Sequence, residues 1–295
     1  MGKAGTGAAS HGGSRPLGRV ESPKRIDRFA RFAFGAATVV TLLVLVFVVS
    51  FVFVRGTGVI TWEFLTRPPQ RMGRAGGILP SIVGTAVLTV VALVIATPLG
   101  VASAIYLTDY TGEGWVPRVI RFGAENLAGI PSIIFGLFGF LFFVIFLRFG
   151  WSILSGALTL ALMVLPTIMR TSEEAIRAVP REHKELSLSL GASRWQTVVF
   201  VVLPSALPGI ITGVMLALGR AVGETAAVIF TAGSSLRLPT SIMDPVRTLP
   251  VHFYVLAREG ISSANAYGTA TVLLAIVLFI EIMANVIMAR FSNRA

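Results

Sequence analysis

The sequence predicts an all-α integral membrane protein with six transmembrane helices, and three observations carry that prediction. Apolar residues fill 54% of the 295 positions and charged residues only 13%, about half of the roughly 25% usual in soluble domains. Uncharged runs long enough to cross a hydrocarbon core of about 30 Å recur along the chain, at Phe32 to Val54, Ala75 to Thr108, Asn126 to Leu147, Phe149 to Met169, Trp195 to Gly219 and Ile261 to Ile280. The basic residues sit between these runs. A nucleic-acid module would gather them on one folded polar surface, so the formal charge of +11 does not imply a nucleic-acid partner. Cysteine is absent, which excludes disulfides, thiolate catalysis and Cys-based metal sites. The histidines, His11, His183 and His252, stand far apart, so neither a metal centre nor a cofactor is expected.

Taken in order, residues 1–31 are rich in Gly, Ser, Ala and Arg and read as a disordered basic cytoplasmic tail. The membrane domain follows over 32–290, with spans at about 32–54, 79–107, 125–147, 150–170, 204–230 and 264–289, a cytoplasmic segment at 171–197, and a cytoplasmic C-terminus at 291–295. The first run has 23 uncharged residues. That exceeds the roughly 7–15 of a signal-peptide core, and no small-residue cleavage site follows closely, so it is expected to stay as a span. Placing the tail inside puts sixteen basic residues in the cytoplasm against eight outside, with Arg220 left within a span. The bias puts both termini in the cytoplasm, although Arg55, Arg67, Arg71 and Arg74 crowd the first outer loop. Pro and Gly interrupt the spans at Pro98-Leu99-Gly100, Gly129-Ile130-Pro131, Pro166, Pro204 and Pro208-Gly209. Such breaks occur where neighbouring helices or a cavity satisfy the freed backbone groups.

Between the fourth and fifth spans, Pro180 should stop one short helix and Gly191 should permit the turn after a second. Leu186 and Leu190, four apart, give that second helix an apolar edge beside Arg181, Glu182 and Glu185. This shape suits docking into a groove on another protein, or lying on the membrane surface.

Here the chain resembles a family. Glu185-Leu186-Ser187, three residues, Gly191, nine residues, then Val201-Val202-Leu203-Pro204 is similar to the Glu-Ala-Ala, Gly, Ile-x-Leu-Pro pattern of ABC importer permeases, with Leu186, Ser187 and Val201 departing from it. The resemblance implies a coupling helix that enters an ATP-binding subunit, with Glu185, Leu186, Ser187, Gly191 and Arg194 as coupling residues. Further stretches over about 60–290 resemble the A-type permease subunits of phosphate-specific importers: Gly76 to Thr85, Pro98 to Leu107, Gly129 to Gly139, Leu165 to Glu174 and Gly219 to Ala227. That likeness implies the type I ABC importer architecture in a bacterial cell (inner) membrane, in contact with lipid. It further implies a heterodimer with a second, C-type permease, two copies of a cytoplasmic ATP-binding subunit, and a periplasmic or extracellular phosphate-binding protein. The residues support one part independently. A P-loop needs Gly-x-x-x-x-Gly-Lys-Ser/Thr, yet the lysines Lys3, Lys24 and Lys184 precede Ala, Arg and Glu, so this chain has no P-loop ATP site of its own and reads as a transport subunit, not an enzyme.

Charged side chains inside a span cost roughly 2.5–3.5 kcal/mol on insertion scales and are functional candidates by default. Arg220 and Glu224 stand out, sixteen and twenty residues beyond Pro204, in the outer half of the fifth span. Their i, i+4 spacing would let them meet on one helix face as a structural ion pair. Against that, Arg before Glu is the poorer helical order, Gly219 and Gly223 leave room for close approach, and guanidinium matches an oxyanion in bidentate geometry. The resemblance implies that Arg220 and Glu224, with the adjacent Thr225, line a phosphate pathway. Glu281 reads as a residue near the inner end of the last span and Glu125 as interfacial. The competing functions are a permease of the same kind for sulfate or molybdate, and an ion-coupled secondary transporter. Inverted repeats are not evident and Glu224 is the one carboxylate well inside a span, which disfavours the latter.

Overall fold

The computed structural model describes residues 24–112 and 114–292. The chain divides into two compact units, residues 1–50 and 51–295. In the first, α1 (Lys24–Gly56) is helical to the end of the unit and continues into the second. It begins within the segment expected as a tail, helped by Asp27 in its first turn and by the Arg31 to Asp27 ion pair at 2.9 Å one turn apart. Residues 1–23 of that tail, and 293–295 of the expected C-terminal one, lie outside the described residues.

The second unit opens with the end of α1, where a Cβ on Gly56 would overlap Tyr267 O and Thr271 Oγ1 of α12 (Ser263–Ser292). After α2 (Trp62–Thr66), whose N-cap Thr61 accepts from Phe64 N, a two-residue hairpin pairs Pro69–Gln70 with Ala75–Gly76. Its tip holds Arg71 and Met72 in the left-handed region, φ 47° and 62°. Asn265 Nδ2 donates to Gly73 O at 2.7 Å and pins that tip to the start of α12.

The core is three helices. α3 (Leu79–Ile105) and α6 (Ile153–Ala178) run in the same direction, with Leu88 against Gly156 and Gly100 against Ile168. α9 (Leu203–Val222) runs the opposite way along α6, with Gly213 against Thr171 and Gly209 against Ala175. Gly209, Gly213, Ala217 and Ala221 repeat every fourth residue on α9, the small-residue stripe that lets membrane helices approach closely. Ala92, Ala96, Ala157, Leu160, Val164, Ile168, Ala217 and Ala221 fill the centre.

Among the described residues, five helices are long and apolar enough to cross a membrane, and a bent pair makes six if counted as one span. That pair corrects the third expected span. Residues 125–147 do not form one helix: α4 (Trp115–Gly129) and α5 (Ser132–Gly139), the latter continued by a π-helical stretch to Phe146, meet at 102°. Pro131 explains the break, because it pushes Ile130 out of the helical region, to ψ 132°. The fifth expected span, 204–230, is also divided. A helical run from α8 (Arg194–Thr197) through α9 stops at Gly223, and α10 (Ala226–Thr231) is separate. Pro204 lies inside this run without breaking it. A π-helical turn at Val198–Val202, in which Leu203 N reaches back to Val198 O, widens the helix where the proline ring would otherwise clash.

The loop between α10 and α11 (Leu249–Arg258) folds over the first turn of α6, where Ser152, Ile153 and Leu154 donate backbone bonds to Thr231, Asp244 and Ile242. Beneath it, Thr85 Oγ1 of α3 accepts from Leu249 N at 2.8 Å. His252 is buried there beside Gly73. Burial, helped by the nearby Arg247, pulls its pKa down to about 4 and keeps the imidazole neutral.

Candidate functional site

Arg220 lies on the last turn of α9 and is exposed on the surface of the chain. Continuing the α9–α6 register seven residues from the Gly213–Thr171 contact brings it level with Val164, near the midpoint of α6. The same reasoning on α3 and α6 sets Pro98 opposite Pro166, two residues from the Gly100–Ile168 contact. The guanidinium and the two prolines, each inside an unbroken helix, therefore share one level of the bundle. Along its own helical run, which starts at Arg194 and ends at Val222, Arg220 stands in the last turn.

The ion pair that the i, i+4 spacing would allow is not made. α9 ends at Gly223, so Glu224 lies off the helix, half-buried, and its Oε1 accepts from Ala227 N at 3.2 Å, satisfying a first-turn N–H of α10. Thr225, also half-buried, is the N-cap of α10 but makes no side-chain cap bond. Among the described residues no ion pair joins Arg220 to any carboxylate. The carboxylate that sequence reasoning misplaced is Glu281. A Cβ on Gly219 would stand 3.2 Å from Glu281 Oε1, so Glu281 lies beside α9 near the level of Arg220 and away from the inner end. α12 has 30 residues, about 45 Å of helix for a core of about 30 Å, and sequence distance alone could not fix where along it the membrane falls.

At the far end of α6 from the α10–α11 loop stands α7 (Arg181–Ser189), with no buried residue. Leu186, Leu188 and Leu190 are exposed, as are Glu185 and Arg194. Gly191 has φ +87°, and nothing lies within 4 Å of where its Cβ would be, so the turn predicted from sequence is left-handed and open on its outer side. Ala192 N donates back to Ser187 O at 3.2 Å, Ser187 Oγ meets Thr197 Oγ1 at 3.0 Å, and Lys184 Nζ reaches Asp109 Oδ1 at 2.7 Å. A capping box between Ser193 and Gln196 starts α8. These bonds fix a rigid elbow whose leucines face outward. Sequence reasoning missed Glu173, buried at 7% exposure, which joins α4 to α6 by accepting from Arg121 Nε at 2.8 Å and from Arg177 Nη2 at 2.6 Å. Its local signal was Arg177 four residues on, whereas Arg121 lies 52 residues away.

A bundle of apolar helices with two helix-interior prolines and an exposed arginine at one level, and an exposed rigid elbow at one end, defines a membrane permease of the type I importer architecture. The chain belongs to the family described as binding-protein-dependent transport system inner membrane component, whose model matches residues 96–295. It is 36% identical over 277 residues to the "Probable ABC transporter permease protein YqgI" of Bacillus subtilis, covering 88% of this chain and 94% of that one. It is 36% identical over 261 residues to the "Phosphate transport system permease protein PstA 1" of Mycobacterium tuberculosis, covering 86% of each. Against "Phosphate transport system permease protein PstA" of Xylella fastidiosa the identity is 35% over 237 residues, covering 80% and 82%. In fold it is similar to a chain of a bacterial ABC transporter involved in the import of alginate, with TM-score 0.65 at 15% identity over 90% of this chain and 98% of that one. A chain of the MetNI methionine ABC transporter, captured inward facing, gives TM-score 0.61 at 19% identity over 72% and 95%.

Proposed function

We propose that this chain is the permease subunit of an ATP-driven importer of inorganic phosphate, working as a heterodimer with a C-type permease. Two ATP-binding subunits engage the cytoplasmic side, and an extracytoplasmic phosphate-binding protein delivers the substrate. The observation that carries this reading is Arg220, a guanidinium with no ion pair among the described residues, exposed near mid-bundle, in a chain whose relatives include phosphate permeases. A charge at that depth facing lipid is costly, so the exposed face belongs to a pathway shared with the second permease. Phosphate near neutral pH carries between one and two negative charges, and the planar fork of arginine supplies paired donors to it. In this reading Glu281, which packs beside Gly219, competes for that guanidinium and releases the ion, while Glu224 and Thr225 shape the backbone turn beside it. ATP-dependent uptake of labelled phosphate into vesicles holding the assembled complex tests this function.

The basic outer face fits the reading. Arg67, Arg71, Arg74, Arg148, Arg237 and Arg258 are exposed on outer segments in the proposed orientation, against the acids Glu63, Asp244 and Glu259, and such a surface attracts anions and acidic partners. Both termini are then cytoplasmic. In this cysteine-free chain, an impermeant thiol reagent applied from outside is expected to label Ser235→Cys and leave Ser193→Cys untouched. Labelling of the second site alone inverts the topology.

The elbow at α7 gives a further expectation. A β-branched side chain resists φ +87°, at roughly 1–2 kcal/mol. Gly191→Val is therefore expected to lower co-purification of the ATP-binding subunit severalfold while the permease pair still forms. Wild-type recovery of that subunit together with normal transport would remove the elbow from coupling.

A further inference from the structure

A cavity of about 480 Å³ opens between α4 and α6 and runs along α6 from Pro166 to Arg177, toward the α7 end of the bundle, with no residue of α9 in its wall. Arg121 and Glu125 line it from α4, and Thr167, Arg170, Glu174 and Arg177 from α6. Its guanidinium donors exceed its acceptors. Arg121 Nε and Arg177 Nη2 both donate to the same oxygen, Oε1 of Glu173, while Arg121 Nη2 reaches Leu107 O at 3.2 Å. Arg170 Nε meets Glu174 Oε1 only at 3.4 Å. Each guanidinium carries five N–H donors, so most of those in the cavity meet no protein acceptor among the described residues. Arginine donors lining an open space match an anion with several oxygens, and at about 30 Å³ per water the cavity has room for a phosphate group and its remaining hydration.

We propose that this cavity is a second phosphate-group site, in which the anion displaces Glu174 from Arg170 and is held by Arg170 and Arg177, with Arg121 and the buried Glu173 fixing the wall. Three arginines face three glutamates there, Glu125, Glu173 and Glu174, so the site binds weakly and releases readily. Two sources offer the same chemistry. One is free phosphate leaving the pathway on its inner side, and that source rests on the transport reading of Arg220. The other is the headgroup of an anionic phospholipid, because α4 presents exposed Trp115, Val119 and Phe122 beside Arg118, and basic pockets between membrane helices on the cytoplasmic side hold such headgroups.

The test uses the assembled complex in nanodiscs of phosphatidylcholine, with Arg220→Gln in every sample so that the pathway arginine contributes nothing. Binding of labelled inorganic phosphate is measured by equilibrium dialysis, and retention of added phosphatidylglycerol by mass spectrometry. Saturable phosphate binding that weakens about tenfold or more in Arg170→Gln/Arg177→Gln supports the site with the free ion as occupant. Phosphatidylglycerol retained by the parent and lost by that double variant supports it with the headgroup as occupant. The proposal is overturned if neither ligand distinguishes the two proteins. Arg121 and Glu173 are left in place because they join α4 to α6. Should the double variant fail to assemble, Arg170→Gln alone, exposed and bonded only to Glu174, is expected to weaken the same binding severalfold. Binding in the Arg220→Gln background, with uptake by the same variant measured separately in vesicles, also separates the two readings: loss of uptake with the cavity still occupied leaves both standing, and normal uptake ends the pathway reading alone.

Discussion

Arg220→Gln is expected to reduce phosphate uptake to background while the permease pair and its ATP-binding subunits still assemble. Glutamine keeps polarity and much of the length but lacks the charge and the fork. Opposite unit charges about 4 Å apart attract by about 4 kcal/mol at an effective dielectric of about 20, which corresponds to about three orders of magnitude in rate if it stabilises the ion at its barrier. Arg220→Lys separates charge from geometry, recovering little if bidentate contact matters. A purely structural role would require a partner. Glu224 does not serve, since its carboxylate caps α10 through Ala227 N, so Arg220→Gln combined with Glu224→Gln is expected to stay inactive. Uptake by that double variant near the wild-type rate, normalised to assembled complex, would return the pair to a structural role. Glu281→Gln is expected to slow release, so that uptake falls while phosphate binding is kept.

The largest loss of stability is expected for Gly213→Leu. A Cβ at Gly213 would overlap the Thr171 side chain, so α9 and α6 would have to separate along the stripe that continues through Gly209, Ala217 and Ala221. Overpacking of this kind costs roughly 1–3 kcal/mol and sometimes more, and here it strikes the helix that carries Arg220. Gly123→Leu is the control, because nothing lies within 4 Å of a Cβ there, and helix propensity favours leucine over glycine. Thermal unfolding of the purified complex should show a clear drop for Gly213→Leu and little change for Gly123→Leu. Equal midpoints for the two would show that the α6–α9 seam is not tightly packed.

Much of this was legible in the sequence because the membrane enforces simple rules. Long uncharged runs had to be helices, and Gly191 after an amphipathic turn marked a left-handed elbow, observed at φ +87°. What failed were positions decided by packing. Whether a helix passes through Gly223 depends on the bond from Ala227 N to Glu224, which local propensity does not reveal. Pro131 bent its span by 102°, whereas Pro204 was absorbed by a π-helical turn, and both look like proline breaks in a linear reading. Glu281 was misplaced because a helix longer than the bilayer leaves its depth open until its neighbours set it, here through Gly219.

The central claim, that this permease conducts phosphate past Arg220, is tested most directly by uptake of labelled phosphate into vesicles containing the complex, with unlabelled phosphate or sulfate as competitor. ATP-dependent uptake that is suppressed by phosphate, indifferent to equimolar sulfate and absent in Arg220→Gln is the predicted result. Equal suppression by sulfate, or undiminished uptake by the Arg220→Gln complex, would contradict it.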